Sequence, residues 1–342
     1  MAAYFLWRML LEKTSHAIVE TAIPTGVAAP LMRSRALAAG FRPVSLLDLD
    51  TLTEFYTRLD KPLADLNALM MVAWRRVLDL HLLIEDEVLY MIANWEGGPV
   101  LWGPPIGKRV SINHVRRAFH LLRKLDPEDP KPVIAYLWES YCLWEELVGS
   151  DDFVAVREGT EYVYDTSRIA ALAGAAYKKK RRDYAFFQKT QKPCVVEYSE
   201  ERSSGCLQLL GKWIQQKCRM VSTEDKDKLL IECEACADAL RERIPLTGVV
   251  ALVDGQVQAF SIGGAHGSSC YNCMFEKSNL DFPQAPAFIF SELARKCGSY
   301  SEITIGEDWD VGYLAASKKL WRPIRQQASY YLQDKLGETL KT

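Results

Sequence analysis

Two stretches of the sequence have the same pattern: LHLLIEDEVLYMIA at residues 80–93 and VVALVDGQVQAFSI at residues 249–262. Each consists of two short apolar runs separated by a polar turn. In the second stretch the turn is Asp254-Gly255, and an Asp-Gly pair between alternating apolar runs is the strongest local signal for a β-hairpin. The pattern therefore predicts the same hairpin twice in one chain.

The elements predicted after each hairpin also follow the same order: a strand, a helix, a strand and a helix. In the first half these are Pro99–Trp102, a helix after Ser111, Val133–Leu137 and Ser140–Leu147, followed by a closing hairpin of Phe153–Val156 and Glu161–Tyr164. In the second half they are Ser269–Glu276, Ala285–Lys296, Glu302–Ile305 and Val311–Leu320. We therefore predict one α/β unit in tandem, with an N-terminal extension at residues 1–40 and domains at residues 41–170 and 171–342.

The composition fits two globular domains, since 49% of the 342 residues are apolar and 25% are charged. A net charge of -2 gives no general attraction for nucleic acid, so any such contact needs a local basic patch. The nine cysteines, an odd number in a long chain, favour free thiols and a cytoplasmic location. No apolar run reaches ~18 residues, so we expect no membrane span, and residues 1–13 suit an amphipathic helix better than a signal peptide.

Four segments together resemble a known family. They are EYVYD at residues 161–165, YKKKRRDYAFF at residues 177–187, GQVQAFSIG at residues 255–263 with Phe275-Glu276-Lys277, and Glu307-Asp308 with Lys318, Trp321 and Pro323. In this order they are similar to the C-terminal domain of bacterial phosphatidylglycerol lysyltransferases, and more closely to the stand-alone proteins that share this domain. A weaker similarity begins at about Phe41.

This resemblance implies an α/β (α+β) fold of two tandem GNAT-like acyltransferase domains, with mixed, mostly antiparallel sheets flanked by helices. It also implies an enzyme that moves an aminoacyl group from aminoacyl-tRNA to an amine or hydroxyl of a small-molecule, peptide or lipid acceptor. Two alternatives stay open: an acyl-CoA-dependent N-acyltransferase, and a ligand-binding protein with this fold but without catalysis.

The resemblance also implies a set of site residues. The catalytic residues would be Glu276, at the end of the strand that borders the acyl site in GNAT domains, and Asp308. A carboxylate at Glu276 suits a general base or an ammonium-binding group, but it would equally be a strand-end charge paired with Lys277. The substrate-binding residues would be Tyr177, Lys179, Arg182, Glu307, Asp310, Lys318 and Trp321.

The acidic residues Glu307, Asp308 and Asp310 lie between a predicted strand and a predicted helix. There they would either bind an α-amino group or cap the helix N-terminus. Two positions depart from the family. Asp310 stands where a Gly is usual, and the basic motif ends in Arg181-Arg182-Asp183 where His or Asn is usual. Both departures are near the presumed pocket and allow a different substrate.

The loop at residues 279–287 argues against acyl-CoA. Pyrophosphate binds to free backbone N–H groups at a helix N-terminus, usually through a Gly-rich loop. Here the loop has no Gly and no Arg, Pro283 and Pro286 each remove a donor, and Asp281 adds a negative charge. The matching loop of the first half, residues 103–110, also contains two prolines. We therefore expect no CoA cofactor.

The one dense basic cluster is Lys178-Lys-Lys-Arg-Arg182, interleaved with aromatic residues of the same predicted helix. Such a helix would bury its aromatic rings and present cations to the phosphates of a tRNA. The alternative is an ordinary solvated surface helix.

The remaining motifs do not predict a metal or nucleophile site. The pairs Cys233/Cys236 and Cys270/Cys273 have a zinc-like spacing, but they fall inside a predicted helix and a predicted strand, where the tight turns of zinc sites are absent. We therefore expect no metal. His266, on a predicted Gly-rich loop, is interpreted as a solvated turn residue in preference to an acid or base.

Overall fold

The alternating apolar runs form the strands of one large sheet. The computed structural model describes residues 28–95, 97–129, 131–220, 223–308 and 311–335, and within them the sheet has thirteen strands. They are β1 (Arg42–Pro43), β2 (His81–Glu85), β3 (Val88–Trp95), β4 (Gly98–Trp102), β5 (Ile106–Gly107), β6 (Val133–Leu137), β7 (Phe153–Asp165), β8 (Cys194–Glu197), β9 (Thr247–Val253), β10 (Gln256–His266), β11 (Cys270–Ser278), β12 (Glu302–Glu307) and β13 (Arg325–Asp334).

The strands are hydrogen-bonded in the order β1-β2-β3-β4-β6-β13-β7-β12-β11-β10-β9-β8, with β5 on β3. All pairs are antiparallel except β4/β6 and β11/β12. From either edge the sheet runs through an antiparallel hairpin, β2-β3 or β9-β10, and then a parallel pair before it reaches the central pair β13/β7. The two predicted hairpins thus occupy corresponding places on either side of β13/β7.

The sheet is continuous through the middle of the chain because β13, the last strand, pairs with both β6 and β7. The domain boundary at residues 170/171 falls between β7 and β8 and stays a prediction. Residues 1–27, which include the expected N-terminal amphipathic helix, lie outside the described residues.

Helices flank this sheet. They are α1 (Ala28–Ala38), α2 (Leu49–Tyr56), α3 (Ala68–Trp74), α4 (Ile112–Leu125), α5 (Trp144–Val148), α6 (Thr166–Ala171), α7 (Lys178–Gln191), α8 (Ser203–Lys217), α9 (Thr223–Arg241), α10 (Ala285–Lys296) and α11 (Gly312–Lys319). Helix α4 packs on β4 and β6, and α8 packs against α9 and on β10 and β11. The expected α/β class, with a mixed, mostly antiparallel sheet flanked by helices, is confirmed.

Helix α10 is the centre of the apolar core beneath the second half of the sheet. Its side chains Phe288, Ile289, Phe290 and Leu293 are all buried, against α6, α7 and strands β9 to β11. Burying one such side chain contributes roughly 1.5–3 kcal/mol. This packing supports the two neighbouring helices that carry the basic cluster and the segment before it.

One expectation about the central strands was wrong, and one central strand was missed. Residues 153–165 form one strand instead of a closing hairpin, because β13 pairs with β7 from Asp334 opposite Phe153 to Arg325 opposite Val163. The polar residues in the middle of β7, which resemble a turn, are held extended by this partner, and the Gly159 N–H donates to Ser329 Oγ (3.0 Å). Strand β13 itself was not predicted, because it lacks a clear apolar alternation.

The expectation for His266 was also wrong. It lies at the end of β10 and is buried, not solvated. Its Nε2–H donates to the carbonyl oxygen of Pro62 (2.9 Å), and the Asn67 side-chain amide lies 3.3 Å from its Nδ1. The histidine therefore joins β10 to the segment of residues 61–67, and its role in the fold is to fix that segment.

Candidate functional site

Strands β11 and β12 pair only over a short distance and then diverge. The parallel ladder joins Cys270–Asn272 with Glu302–Thr304, after which β11 stays on β10 while β12 follows β7. A β-bulge at the same place leaves Met274 unpaired in the β10/β11 register, since Ile262 faces Phe275 and Gly263 faces Cys273. Bulges of this kind re-aim side chains and are frequent beside active sites. We call this divergence the splay. Glu276 of β11 and Glu307 of β12 lie beyond the last β11/β12 pair, which is Asn272 with Thr304.

On the β11 side of the splay, Glu276 accepts a hydrogen bond from the Ser261 hydroxyl (3.2 Å to Oε2). Burial raises the pKa of Glu276 to about 7, although Ser261, Lys180 and Lys277 act in the opposite direction. A carboxyl group that titrates near neutrality is poised for general-base chemistry. It is also a candidate site marker, because perturbed pKa values concentrate at functional sites.

The alternative pairing of Glu276 with Lys277 does not occur. Lys277 points to the other side of β11, where its ammonium lies 2.6 Å from Glu232 of α9 and 4.6 Å from the centroid of the Trp213 ring. Side chains of successive strand residues point to opposite faces of a sheet, which separates the two charges.

A lysine of α7 completes this side of the splay. The Lys180 ammonium lies 4.0 Å from the centroid of the Trp321 ring, a cation–π contact. Burial lowers the pKa of Lys180, while the charge of Glu276 raises it. Trp321 is itself fixed by Tyr177, whose hydroxyl donates to the Trp321 carbonyl oxygen (3.0 Å). The three residues therefore link α7 to the chain just after α11.

On the β12 side, Lys318 of α11 ties its helix to the end of the strand. Its ammonium donates to the carbonyl oxygens of Ile305 and Gly306, both at 2.9 Å, and to that of Glu307. Gly306 has φ +69, a conformation that favours glycine, and it lies where the β12/β7 register shifts. Burial lowers the pKa of Lys318 to about 8, and the surrounding carboxylates oppose this.

Four carboxylates surround this lysine: Asp65, Glu161, Glu307 and Asp308. All four are buried. Asp65 comes from the segment between α2 and α3 in the first half of the chain, whereas Glu307 comes from β12 in the second half. Residues more than two hundred positions apart thus meet at one place beside the splay.

Two of these carboxylates have their hydrogen bonds satisfied. Glu161 accepts from the Ala64 N–H and from the Thr304 hydroxyl, both at 2.6 Å. Asp308 accepts from the Tyr162 hydroxyl (2.7 Å to Oδ2). Since a buried polar group is stable only when it is hydrogen-bonded, these two side chains are held by the fold.

The other two carboxyl groups, those of Asp65 and Glu307, interact electrostatically. Burial and the charge of Glu161 raise the pKa of Asp65 to about 7. Burial and the charge of Asp65 raise the pKa of Glu307 well above its ordinary value. Glu307 accepts from the Ser329 hydroxyl, but its Oε1 is buried without a hydrogen-bond partner among the described residues.

The structure groups most of the residues that the sequence singled out. Tyr177, Glu276 and Trp321 lie on the β11 side of the splay, while Glu307, Asp308 and Lys318 lie on the β12 side. The side chains of Lys179 and Arg182 are 74% and 76% exposed on the outer face of α7, outside both groups. Asp310 lies outside the described residues. The functional roles of all these residues remain hypotheses.

The sequence reasoning missed several residues of the two groups, namely Asp65, Glu161, Tyr162 and Lys180. For Lys180 a signal existed, because Lys180, Tyr184 and Phe187 are spaced i, i+4 and i+7 and so share the inward face of α7. Asp65 had no local signal, since its partners are distant in sequence.

The β11–α10 loop, residues 279–287, uses most of its backbone N–H groups internally. The N–H groups of Asn279, Leu280, Asp281, Phe282 and Ala285 all donate to protein acceptors. Asp281 also pairs with Lys212 (2.6 Å). A pyrophosphate would therefore find few free donors and one carboxylate at this loop.

The cysteine pairs are placed as the sequence suggested, Cys233/Cys236 in α9 and Cys270/Cys273 in β11, and all four thiols are free and buried. In the described part of the chain, no three His, Cys, Asp or Glu side chains are arranged to hold a metal ion. Within the same ranges, no helix combines the length and apolar composition needed to cross a bilayer.

The sequence pattern of the family described as phosphatidylglycerol lysyltransferase, C-terminal, matches residues 58–332. The chain belongs to this family. The match spans both groups of site residues and all strands from β2 to the greater part of β13. It confirms the resemblance seen in the four sequence segments, and it places the chain in a family of group-transferring proteins.

Solved structures share the fold at low sequence identity. A conserved protein of unknown function from Bacteroides thetaiotaomicron has a TM-score of 0.75 at 23% identity, over 86% of this chain and 99% of the other. The C-terminal domain of a putative lysylphosphatidylglycerol synthetase from Agrobacterium fabrum has 0.60 at 11%, over 85% and 92%. L-PGS from Bacillus licheniformis has 0.58 at 14%, over 85% and 94%. No curated protein sequence matches the chain.

Proposed function

We propose that the protein transfers an aminoacyl group from aminoacyl-tRNA to an amine or hydroxyl of a small-molecule, peptide or lipid acceptor. Family membership supports aminoacyl transfer in the broad sense. The observation that supports aminoacyl-tRNA as the donor is that the two faces of α7 differ. Lys180 of this helix points inward to Trp321 and Glu276, while Lys179 and Arg182 point outward to solvent.

In this arrangement the outer face of α7 would bind phosphates, and the opposite face of the same helix lies at the splay. Cations on the outer face of α7 would bind the backbone of the tRNA acceptor end, a contact that needs charge and not sequence. The terminal nucleotide, which bears the ester, would then lie at the inner face of the helix. The Trp321 ring and the ammonium of Lys180 would meet it there.

Glu276 supplies the proton acceptor. The acceptor amine or hydroxyl attacks the ester carbonyl of the aminoacyl group, and its proton passes to the Glu276 carboxylate. The tetrahedral intermediate collapses with release of the ribose oxygen, which takes this proton from Glu276 as it leaves and so restores the carboxylate. No covalent enzyme intermediate is needed, since positioning two bound reactants already removes much of the barrier. Asp308 holds the Tyr162 hydroxyl and is proposed to orient the site from the β12 side.

The acyl-CoA alternative is disfavoured by the β11–α10 loop, because most of its backbone N–H groups are already bonded within the protein. A CoA thioester would lose the backbone contacts to its pyrophosphate and would meet Asp281 instead. The tRNA donor does not depend on this loop.

The test is a donor comparison. The protein is incubated with total tRNA charged with labelled amino acids and, separately, with labelled acetyl-CoA, each with a panel of amines, peptides and phosphatidylglycerol vesicles. We expect acceptor-dependent deacylation of the tRNA and none of acetyl-CoA. The variant Glu276→Gln should bind the charged tRNA and transfer its amino acid about 10²–10⁴-fold more slowly. Consumption of acetyl-CoA with intact charged tRNA would contradict the proposal.

A further inference from the structure

The carboxylates beside Lys318 are more numerous than the cations that neutralise them. The lysine lies among Asp65, Glu161, Glu307 and Asp308, and a lysine ammonium has three N–H donors. Here Lys318 directs its hydrogen bonds to three backbone carbonyl oxygens, those of residues 305, 306 and 307. Lys318 therefore adds a positive charge beside the four carboxylates, but its N–H donors are used by the backbone at the end of β12.

Asp65 accepts a hydrogen bond from its own backbone N–H, and Glu307 accepts one from the Ser329 hydroxyl. Glu161 and Asp308 are bonded to their own partners, as described above. Asp65 is 6% exposed and Glu307 7% exposed, and Oε1 of Glu307 has no hydrogen-bond partner among the described residues. A buried carboxyl oxygen without a donor costs free energy unless a ligand supplies the donor.

The backbone around Asp65 is fixed from both sides. The Ala64 N–H donates to Glu161, and the Ala64 carbonyl oxygen accepts from the Asn272 side chain (2.9 Å). The carbonyl of Pro62 accepts from His266, and the Asn67 amide donates to the Ala265 carbonyl (2.7 Å). The segment of residues 61–67 thus lies across β10, β11 and β7 at the splay, and this fixes the backbone position of Asp65.

We propose that Asp65 and Glu307 together bind the free α-ammonium group of the aminoacyl donor, so that donors with an acylated α-amino group are refused. This inference rests on the function proposed above and adds the part of the donor that is recognised. An ammonium group beside the two carboxyl groups supplies a donor for Oε1 of Glu307 and adds to the positive charge of Lys318. A metal ion would be a poorer occupant, because no three His, Cys, Asp or Glu side chains in the described ranges have the arrangement needed to hold one.

Selectivity follows from the same chemistry. An acetylated α-amino group has no positive charge, a single N–H donor and additional bulk. Binding it would leave Oε1 of Glu307 without a charged donor and would remove the additional positive charge beside the two buried carboxyl groups, which is more costly than the loss of an ordinary hydrogen bond. We expect an affinity difference of about ten-fold or more between the free and the acetylated donor, since hydrogen bonds to charged groups are the strong ones.

The experiment compares three preparations of the same total tRNA by filter binding: charged with mixed amino acids, charged and then acetylated with acetic anhydride, and uncharged. We expect the charged tRNA to bind at least about ten-fold more tightly than the acetylated form, which should bind like uncharged tRNA. The wild-type comparison needs no variant and therefore stands even if a variant does not fold.

The variants Asp65→Asn and Glu307→Gln should reduce the affinity for charged tRNA to that for acetylated tRNA and leave the affinity for uncharged tRNA unchanged. The matched control is Glu302→Gln at the other end of β12, where Glu302 pairs with Arg325 (2.9 Å); it should preserve the ten-fold preference. Equal binding of charged and acetylated tRNA would overturn this inference and leave the proposed function standing. Absence of any tRNA binding would overturn both.

Discussion

Replacing Glu276 by Gln should make the folded protein more stable at pH 8 than the wild type, with a much smaller effect at pH 5. The substitution keeps the size of the side chain and an oxygen that can accept from Ser261, but it removes the titrating carboxyl group. Because the measurement needs no substrate, it tests the environment of Glu276 independently of the proposed reaction.

The magnitude follows from the pKa of Glu276, which burial raises from 4.5 to about 7. Between these two values the folded protein retains a proton that the unfolded chain has released. The wild type is therefore favoured at low pH and loses stability as the pH rises through 7. At about 1.36 kcal/mol per pH unit, the difference between 4.5 and about 7 corresponds to roughly 3 kcal/mol, most of it lost between pH 5 and pH 8.

Urea denaturation of both proteins at pH 5, 6, 7 and 8 gives the free energy of unfolding at each pH. We expect the stability of the variant relative to the wild type to increase by about 2–3 kcal/mol over this range. The matched control is Glu85→Gln. Arg117 lowers the pKa of Glu85 through a two-fold hydrogen bond, so its contribution is complete above pH 5 and the difference should stay constant. A constant difference for Glu276→Gln as well would refute the argument that this carboxyl is desolvated.

Four further outcomes are expected. Reversing Lys179 and Arg182 to Glu should weaken tRNA binding strongly without unfolding the protein, and wild-type affinity should fall with rising salt as counterions are released; a gel-shift titration at two salt concentrations checks both. Calorimetry with acetyl-CoA should show no binding tighter than roughly millimolar, because the β11–α10 loop offers few donors. The rate of aminoacyl transfer should rise with pH to a plateau above about 7 as Glu276 loses its proton, and Glu276→Gln should lower kcat about 10²–10⁴-fold on that plateau and remove this pH dependence. Gly263→Ala should destabilise the fold by several kcal/mol, because the added Cβ would lie 1.8 Å from a carbonyl oxygen of β11, whereas Gly211→Ala, which meets no atom within 4 Å, should stabilise α8 by roughly 0.5–1 kcal/mol in thermal melts.

The sequence by itself determined the local elements of this fold. The hairpins β2-β3 and β9-β10 follow from apolar runs on either side of polar turns, and the helices from their period and caps. These signals suffice because a hairpin or a helix makes its hydrogen bonds among residues that are close in sequence. The order of the motifs also identified the family, and it pointed to Glu276, Glu307 and Lys318 before their surroundings were known.

Only the tertiary structure decided the centre of the sheet. Residues 153–165 have the composition of two short strands and a turn, and residues 325–334 have no clear strand pattern. They become β7 and β13 because each supplies the other's hydrogen bonds from more than 150 residues away along the chain. No local pattern contains this information, since the pairing is a property of two distant segments.

The two sides of the candidate site differ in the same way in how far the sequence predicts them. Lys180 could have been found from the sequence, because helical spacing alone sets the inward face of α7. Asp65 could not, since it meets Glu307 and Lys318 only after the segment of residues 61–67 is fixed across β10, β11 and β7 by His266, Asn272 and Glu161. The sequence thus shows which residues carry charge. The packing of distant segments decides which of these charged side chains are buried and interact with one another.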